Sequence, residues 1–526
     1  MKLFGAVYCL YEDYEYLELS VNSITNYVDK IVFLINDVPF EGLKIDDTLT
    51  KKTIEVAENL KCSNNKIEII YGHWTKEPEE RNFGLTKFYK EKIDYCIIID
   101  SDEIYHPEHF LNIKKIILNN NNVDAFHIEW NTYWTKDYYC IQPREHFTPI
   151  IAVKVKNFVF TGIRFGITSV LRTDFAIIQS KSNYNGMLIP YNLATCFHLS
   201  YARTDQSVKR KLETSPHNPE FIKDWYNNVW KAWKPNMQNL HPVTPEQYKI
   251  AVKTQFTQFP SLLEKFIKKE KLTDRQCSII ILNWNSCELL KKCINLITIN
   301  TKRKYEIIIV DNGSIDDSVE YIKSMHNCKA IFNKENLGFS GGVNSGLKVK
   351  NENNDVCLLN VDAEVQENWL ENLYDSLINN EKCGIVGPLG NEVQSGYQSA
   401  NYVKIDTEVP NLMGFCMLIM KEVYDKIGYF DESFKIGGYE DNDYGMRAIL
   451  AGYKLYLSAK SLVIHKAHQV FKLNGLDYMN IDPINKEVFI NKIYNIMMNY
   501  SKVHDFFENT NYAKLNNLII GGSDAK

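Results

Sequence analysis

Apolar and polar stretches follow one another along this chain in an order that occurs twice. The first copy opens with a strand-like run from Leu3 to Leu10 and continues into a helix over YEYLELSVNSITNYV. The second opens with Ser278 to Leu282 and continues into SCELLKKCINLI. A second strand follows in each copy, KIVFLIND ending at Asp37 and YEIIIVDN ending at Asn312. Each copy then has a buried strand that runs into acid, YCIIIDSDE (Tyr95 to Glu103) and VCLLNVDAE (Val356 to Glu364). Further on, an apolar stretch delivers a histidine, His198 in ATCFHLSY and His465 in LVIHKAH. The offset between copies is roughly 260 residues, a domain-sized repeat.

Strands alternating with helices predict an α/β fold, a central sheet with helices on both faces. Ligands of such sheets bind at the carboxyl ends of the strands, where these acids fall. The pattern divides the chain into an N-terminal domain (1–245), a charged helical linker (246–275), a C-terminal domain (276–475) and a helical tail (476–526). In the tail, Phe489, Ile493, Ile496, Met497 and Tyr500 share one helical face, which reads as a packing helix. A peripheral membrane or partner contact is the second reading of that face.

Composition changes this picture little. The chain has 526 residues, 45% hydrophobic and 24% charged, and its length suits more than one core. A net charge of −5 excludes a general nucleic-acid binder. The twelve cysteines show no CxxC pair and no zinc spacing, and Cys96 and Cys357 lie in strand-like runs. They read as reduced thiols of a cytoplasmic protein. The opening MKLFGAVYCLYED turns acidic too soon for a signal peptide. No apolar run reaches the roughly 18 residues of a membrane span. A membrane-bound acceptor would be met from the inner face of the membrane.

The second copy carries the more specific chemistry. SIIILNWNS, EIIIVDNGSIDDS, NKENLGFSGGVNSG, LLNVDAEV, GGYEDNDYGMRAILAGYKL and LVIHKAH follow in that order. Asp311 ends a strand in a turn sequence. Asn336, Gly338 and Asn344 belong to a Gly/Asn-rich loop that permits close backbone approach to a ligand. It has neither the Walker nor the dinucleotide spacing. Asp362 follows a buried strand. Glu440, Asp441 and Asp443 open a helix, where acids also serve as caps and dipole partners.

Over residues 276–470 this series resembles the inverting family 2 glycosyltransferases of the GT-A fold, especially their rhamnosyltransferase-like bacterial branch. The resemblance implies a nucleotide-sugar donor and a divalent cation, Mn²⁺ or Mg²⁺, that neutralises the leaving diphosphate. It makes Asp311, Asn336, Gly338, Asn344, Asn360 and Asp443 donor-binding residues. Asp362 and His465 become metal ligands, with His468 a nearby alternative. Asp441, beside Glu440, becomes the base that deprotonates the acceptor hydroxyl. Asn360 stands where the family's DxD signature has its first Asp.

The first copy resembles the same families more distantly. Asp100, Asp102 and Glu103 form a DxDE, preceded by Arg81-Asn82 and followed by His198 and Arg203. The resemblance makes Asp102 and His198 metal ligands and places Arg81, Asp100, Glu103 and Arg203 at the donor, with Asp37 at its nucleotide. No ED motif precedes His198, so the base is open between Glu129 and Glu145, and a retaining outcome stays open too. Trp225, Trp230 and Trp233 are candidates for an acceptor platform, with core packing the plainer reading.

The expectation is therefore two GT-A domains in tandem that add sugars to one growing acceptor. That acceptor is a glycan, lipid-linked or protein-borne, of a bacterial surface polysaccharide, lipooligosaccharide or glycoprotein. The alternative is a single active C-terminal transferase with a non-catalytic N-terminal domain that holds acceptor or partner. A sugar-nucleotide nucleotidyltransferase would need a Gly-rich basic loop after the first strand, where CLYED and LNWNS stand instead.

Overall fold

The computed structural model describes residues 2–38, 48–145, 147–162, 165–173, 176–181, 184–214, 220–255, 258–390, 403–434, 436–466, 468–476 and 482–500. The chain divides into two compact units, Met1–Leu263 and Glu264–Lys526. Both are α/β units with mixed sheets.

In the N-terminal unit, strands Ile67–Gly72, Lys30–Asn36, Phe4–Leu10 and Tyr95–Ile98 lie side by side and parallel. Strand Ile150–Lys154 joins antiparallel to the last of them. Side chains alternate between the two faces of the sheet. Ala6, Tyr8 and Phe33 pack with Leu17, Val21 and Ile24 of helix Tyr14–Ile24. Val7, Val32 and Leu34 pack with Leu85 and Phe88 of helix Glu77–Lys90 on the other face. Burial on both faces is why these strands are nearly unbroken runs of apolar residues.

A second sheet in this unit orders Ile250–Lys253, Tyr139–Gln142, Trp130–Trp134, Cys196–Tyr201 and Glu103–Tyr105. Its core holds Trp134, Tyr201, Tyr248, Trp225 and Trp230. The last two are thus core residues, as the plainer reading had it, and Trp233 packs partly buried beside them.

The C-terminal unit repeats the parallel order with Cys328–Phe332, Tyr305–Asp311, Cys277–Asn283 and Asp355–Asn360. Cys416–Ile419 follows antiparallel, then Cys383–Leu389 and Lys454–His465. The long strand Lys454–His465 also pairs antiparallel with Ala363–Val365.

The register is the same in both units. His198 pairs with Glu103, the residue after Asp102. His465 pairs with Ala363, the residue after Asp362. Each histidine is thereby delivered beside the acid that follows the central strand.

The segment 246–275, read from sequence as a helical linker, contains a strand as well as a helix. Ile250–Lys253 pairs with Tyr139–Gln142 of the N-terminal unit. In helix Ser261–Leu272, Lys268 is fully buried and donates to the carbonyls of Asn380 and Cys383. Apolar and polar residues cannot alone separate a four-residue strand from a turn of helix. In the tail, helix Asp482–Tyr500 buries Phe489 and Ile493 against Phe434 and Met446. The side chains of Ile496, Met497 and Tyr500 lie outside the described residues. No helix among the described residues is long and apolar enough to cross a membrane.

Candidate functional site

In the N-terminal unit a cavity of about 230 Å³ opens at the carboxyl ends of the parallel strands. Asp100, Asp102, His198 and Arg203 line it together, as the sequence predicts. The Asp102 carboxylate takes 2.9 Å from Arg203 Nη2, 3.6 Å from Lys211 Nζ and 3.8 Å from His198 Nε2. Burial alone would raise its pKa, but Lys211 and Arg203 hold it well below the usual carboxylate range. The buried Arg81 donates from Nε to Glu77 at 2.6 Å and from Nη2 to Asp100 at 3.3 Å. Behind His198, Thr132 Oγ1 donates to Glu145 and lies 3.3 Å from His198 Nδ1. Tyr248 donates to the other Glu145 oxygen at 3.3 Å. Trp130 lies against the imidazole at a tilt of 33°, with ring centroids 3.9 Å apart.

Other predicted residues sit apart. Asp37 is exposed and holds His73 at 2.8 Å, while its neighbours Asn36 and Val38 line the cavity. Glu103 is buried, accepts from Tyr105 of its own strand and is paired through its backbone with His198. Glu129 lies 3.9 Å from Arg144. Several lining residues are not candidates from sequence, and three of them are ionisable groups that bear on the chemistry of the cavity. Arg210 and Lys211 come from helix Asp205–Thr214, and Arg210 forks onto Glu12 at 2.9 Å. Glu80 is the third. The signal for the cations was the basic run VKRK in a helix just after His198.

In the C-terminal unit, His465 Nε2 lies 3.2 Å from Asp362 Oδ1. Asp362 Oδ2 accepts from the Gln469 amide at 3.3 Å, and Asn360 Nδ2 is 3.5 Å from His465 Nε2. Phe415 stacks on His465 at 4.6 Å and its carbonyl accepts from the Asn360 amide. Next to Phe415, the Gly414 amide donates to Asp441 Oδ2 at 2.7 Å. A short chain of contacts therefore connects Asp441 to the Asp362–His465 pair. Burial raises the pKa of both Asp441 and Glu440, the latter also through the Asp441 charge. Glu440 Oε2 has no hydrogen-bond partner among the described residues.

Four C-terminal candidates are occupied by the protein itself. Asp311 accepts from Asn283 and from the Ser314 amide, both at 2.9 Å, which is the turn reading. Asn344 is tied to Phe430 through both ends of its amide and to Glu432. Asp443 pairs with Arg447 at 2.9 Å and with Lys492 of the tail helix at 2.5 Å. Asn336 accepts from Asn312 and from the Gly338 amide, which shapes the loop rather than filling it. Gly338 has φ +72°, and a Cβ there would sit 3.0 Å from the Ile436 nitrogen, so glycine is required. His468 stands at the start of helix Gln469–Leu473, and burial lowers its pKa.

Among the described residues no group of three or more His, Cys, Asp or Glu side chains is poised for a metal ion. Each unit instead offers one carboxylate and one imidazole. That donor set fits a hard divalent cation whose other positions are left to water and phosphate oxygens.

Residues 278–428 match the model of the family described as Glycosyl transferase family 2. Glycosyltransferase AglE of Haloferax volcanii is 26% identical over 206 residues, 36% of this chain and 66% of its own. Glycosyltransferase GlyA of Streptococcus pneumoniae serotype 4 is 26% identical over 31% of this chain and 22% of its own. The Minor teichoic acid biosynthesis protein GgaA of Bacillus subtilis is 30% identical over 26% of this chain and 33% of its own. The chain thus spans at most about two thirds of each of these curated relatives. Among solved structures, a mannosyltransferase from Pyrobaculum calidifontis in complex with GDP-Man and Mn²⁺ aligns at TM-score 0.31 and 15% identity, over 39% of this chain and 64% of its own. S. aureus TarS aligns at TM-score 0.30 and 18% identity, over 41% of this chain and 43% of its own. The C-terminal region of this chain carries a glycosyl transferase family 2 domain.

Proposed function

We propose that the chain is a bifunctional glycosyltransferase with one nucleotide-sugar site in each unit, adding successive sugars to a growing surface glycan. The observation that carries this is the shared register. In both units a histidine strand pairs with the residue after the acid, leaving Asp102 with His198 and Asp362 with His465. Two sites in one chain raise the effective concentration of the intermediate at the second. The names of AglE and GlyA, both glycosyltransferases, and of GgaA, a minor teichoic acid biosynthesis protein, support glycosyl transfer in polymer synthesis as the class of reaction.

In the C-terminal unit, Asp362 and His465 would hold Mn²⁺ or Mg²⁺, and the cation would neutralise charge on the departing nucleoside diphosphate. Asp441 takes the proton of the acceptor hydroxyl as that oxygen attacks the anomeric carbon. The bond to the diphosphate breaks on the opposite face, which inverts the configuration. The Gly414 amide holds one Asp441 oxygen and leaves the carboxylate aimed by backbone rather than by a mobile side chain. In the N-terminal unit, Asp102 and His198 would hold the cation, while Arg203, Arg210 and Lys211 face the diphosphate. Glu145 is taken up by Thr132 and Tyr248 beside His198, which suits orienting the imidazole rather than deprotonating an acceptor.

The test is to make Asp102→Ala and Asp362→Ala separately in the full chain and to analyse every transfer product. One substitution should stop the glycan after the first added sugar, and the other should prevent that first addition. If Asp102→Ala leaves all products unchanged, the N-terminal unit is a binding module and the two-activity reading fails.

A further inference from the structure

The N-terminal cavity has two chemically different ends. Arg203, Arg210 and Lys211 stand at one, around Asp102 and Glu12. At the other, the lining comes from Cys9, Asn36, Val38 and Glu80, at the ends of the first two strands and in helix Glu77–Lys90. The guanidinium next to it in that helix, Arg81, is directed at Glu77 and Asp100 through Nε and Nη2, with Nη1 left without a partner among the described residues.

Glu80 is 0% exposed, and neither of its carboxyl oxygens has a hydrogen-bond partner among the described residues. The nearest to one is the Cys9 thiol, which offers it a hydrogen bond, and a thiol is only a weak donor. An unsatisfied buried carboxyl is costly, and native proteins rarely keep one without a use. A phosphate is better held where Arg203, Arg210 and Lys211 line the cavity together than beside Glu80, where the adjacent cation, Arg81, is already paired with Glu77 and Asp100. What fits is a neutral group that both gives and accepts hydrogen bonds.

We propose that Glu80 reads the nucleoside of the N-terminal donor, its carboxyl giving one hydrogen bond to the edge of the base and accepting another. This rests on the reading of the N-terminal unit as a nucleotide-sugar site. Burial, opposed only in part by Arg81, pushes the Glu80 pKa up to about 9, so the carboxyl is protonated at neutral pH. A neutral carboxyl presents O–H and C=O side by side, and nucleobase edges present an adjacent donor and acceptor in return. Glutamine keeps that pair of functions in the same volume. Methionine keeps the volume and removes both.

The experiment is calorimetric titration of the full chain and of Glu80→Met, Glu80→Gln and Glu80→Ala. The probes are UDP, GDP, CDP, ADP and inorganic pyrophosphate, and the C-terminal unit serves as the unchanged reference. For the nucleotide that binds wild type most tightly, Glu80→Met and Glu80→Ala should weaken one class of sites by about tenfold or more. Glu80→Gln should stay within about threefold of wild type. Pyrophosphate affinity should not move with any of them, and Glu80→Met should melt no lower than wild type. Nucleotide binding by Glu80→Met and Glu80→Ala at wild-type strength would overturn the proposal. A parallel loss of pyrophosphate binding would also overturn it, since Glu80 would then act on the whole cavity. If Arg210→Ala and Lys211→Ala in turn leave both probes bound as in wild type, the nucleotide-sugar reading of this unit falls as well.

Discussion

Replacing Asp441 with Asn separates its chemistry from its structural contacts. Two backbone amides point at the carboxylate, Gly414 N at 2.7 Å and Asn442 N at 2.8 Å. Asparagine has one oxygen to offer them, so one amide loses its partner. That loss costs about 1 kcal/mol, and removing a buried carboxyl whose charged form is disfavoured offsets part of it. The fold should therefore survive with a small change in Tm. The chemical cost is larger. Loss of a general base typically slows the step roughly 10²- to 10⁴-fold, which is about 2.7 to 5.4 kcal/mol of barrier at 1.36 kcal/mol per decade. The assay is release of nucleoside diphosphate at saturating acceptor, in an Asp102→Ala chain that silences the N-terminal site. kcat should fall by that factor while KM for the donor stays put, because no donor contact has been removed. Glu440→Gln in the same background should cost far less. A kcat for Asp441→Asn within threefold of its parent, with the fold intact, would refute the assignment of the base.

Three further outcomes follow from the same geometry. Chelation with EDTA should abolish transfer by the Asp102→Ala chain, and added Mn²⁺ should restore it; an unchanged rate in chelator would remove the metal role from Asp362 and His465. Phe489→Ala, which empties a site that is 1% exposed under the loop before Glu440, should cost roughly 3–5 kcal/mol of C-terminal stability, read as a lowered melting transition of that unit. The Glu80 carboxyl is raised to about 9 from its ordinary 4.5, so its contribution to stability is complete below pH 4.5 and lost as pH climbs toward 9. Glu80→Gln lacks this dependence, and its Tm should gain on wild type steadily between pH 5 and 9; parallel curves would mean that Glu80 titrates normally.

Much of this was legible in the sequence because it depends on local chemistry. Strands buried on both faces must be apolar throughout, so YCIIID and VCLLNVD announced themselves and placed Asp100, Asp102 and Asp362 at strand ends. The histidines were found by order along the chain, and the β-register then explains why order sufficed: the strand that carries each one pairs beside its acid. What failed to show was which polar groups the protein spends on itself. Asp311, Asn344 and Asp443 have the residue types of a ligand site, yet their partners are Asn283, Phe430 and Lys492, up to 86 residues away. Lys492 lies in a tail whose motif content is nil. Distinguishing a free carboxylate from a spent one needs the long-range hydrogen-bond ledger, which only the fold provides.

The same ledger divides the two sites. Asp102 is met by Arg203, Lys211 and His198, whereas Asp362 is met by one histidine and one backbone amide. A cation approaching Asp102 must therefore draw its carboxylate away from two side-chain charges, and a diphosphate is the anion that would take those charges up. A cation approaching Asp362 meets no such competition. On the proposed reading of both units as nucleotide-sugar sites, nucleotide and metal should bind together in the N-terminal unit, each assisting the other, while the C-terminal unit should take the metal first. The sequence, with an acid and a late histidine in each half, presents the two sites as alike; the side chains around the acid make them different.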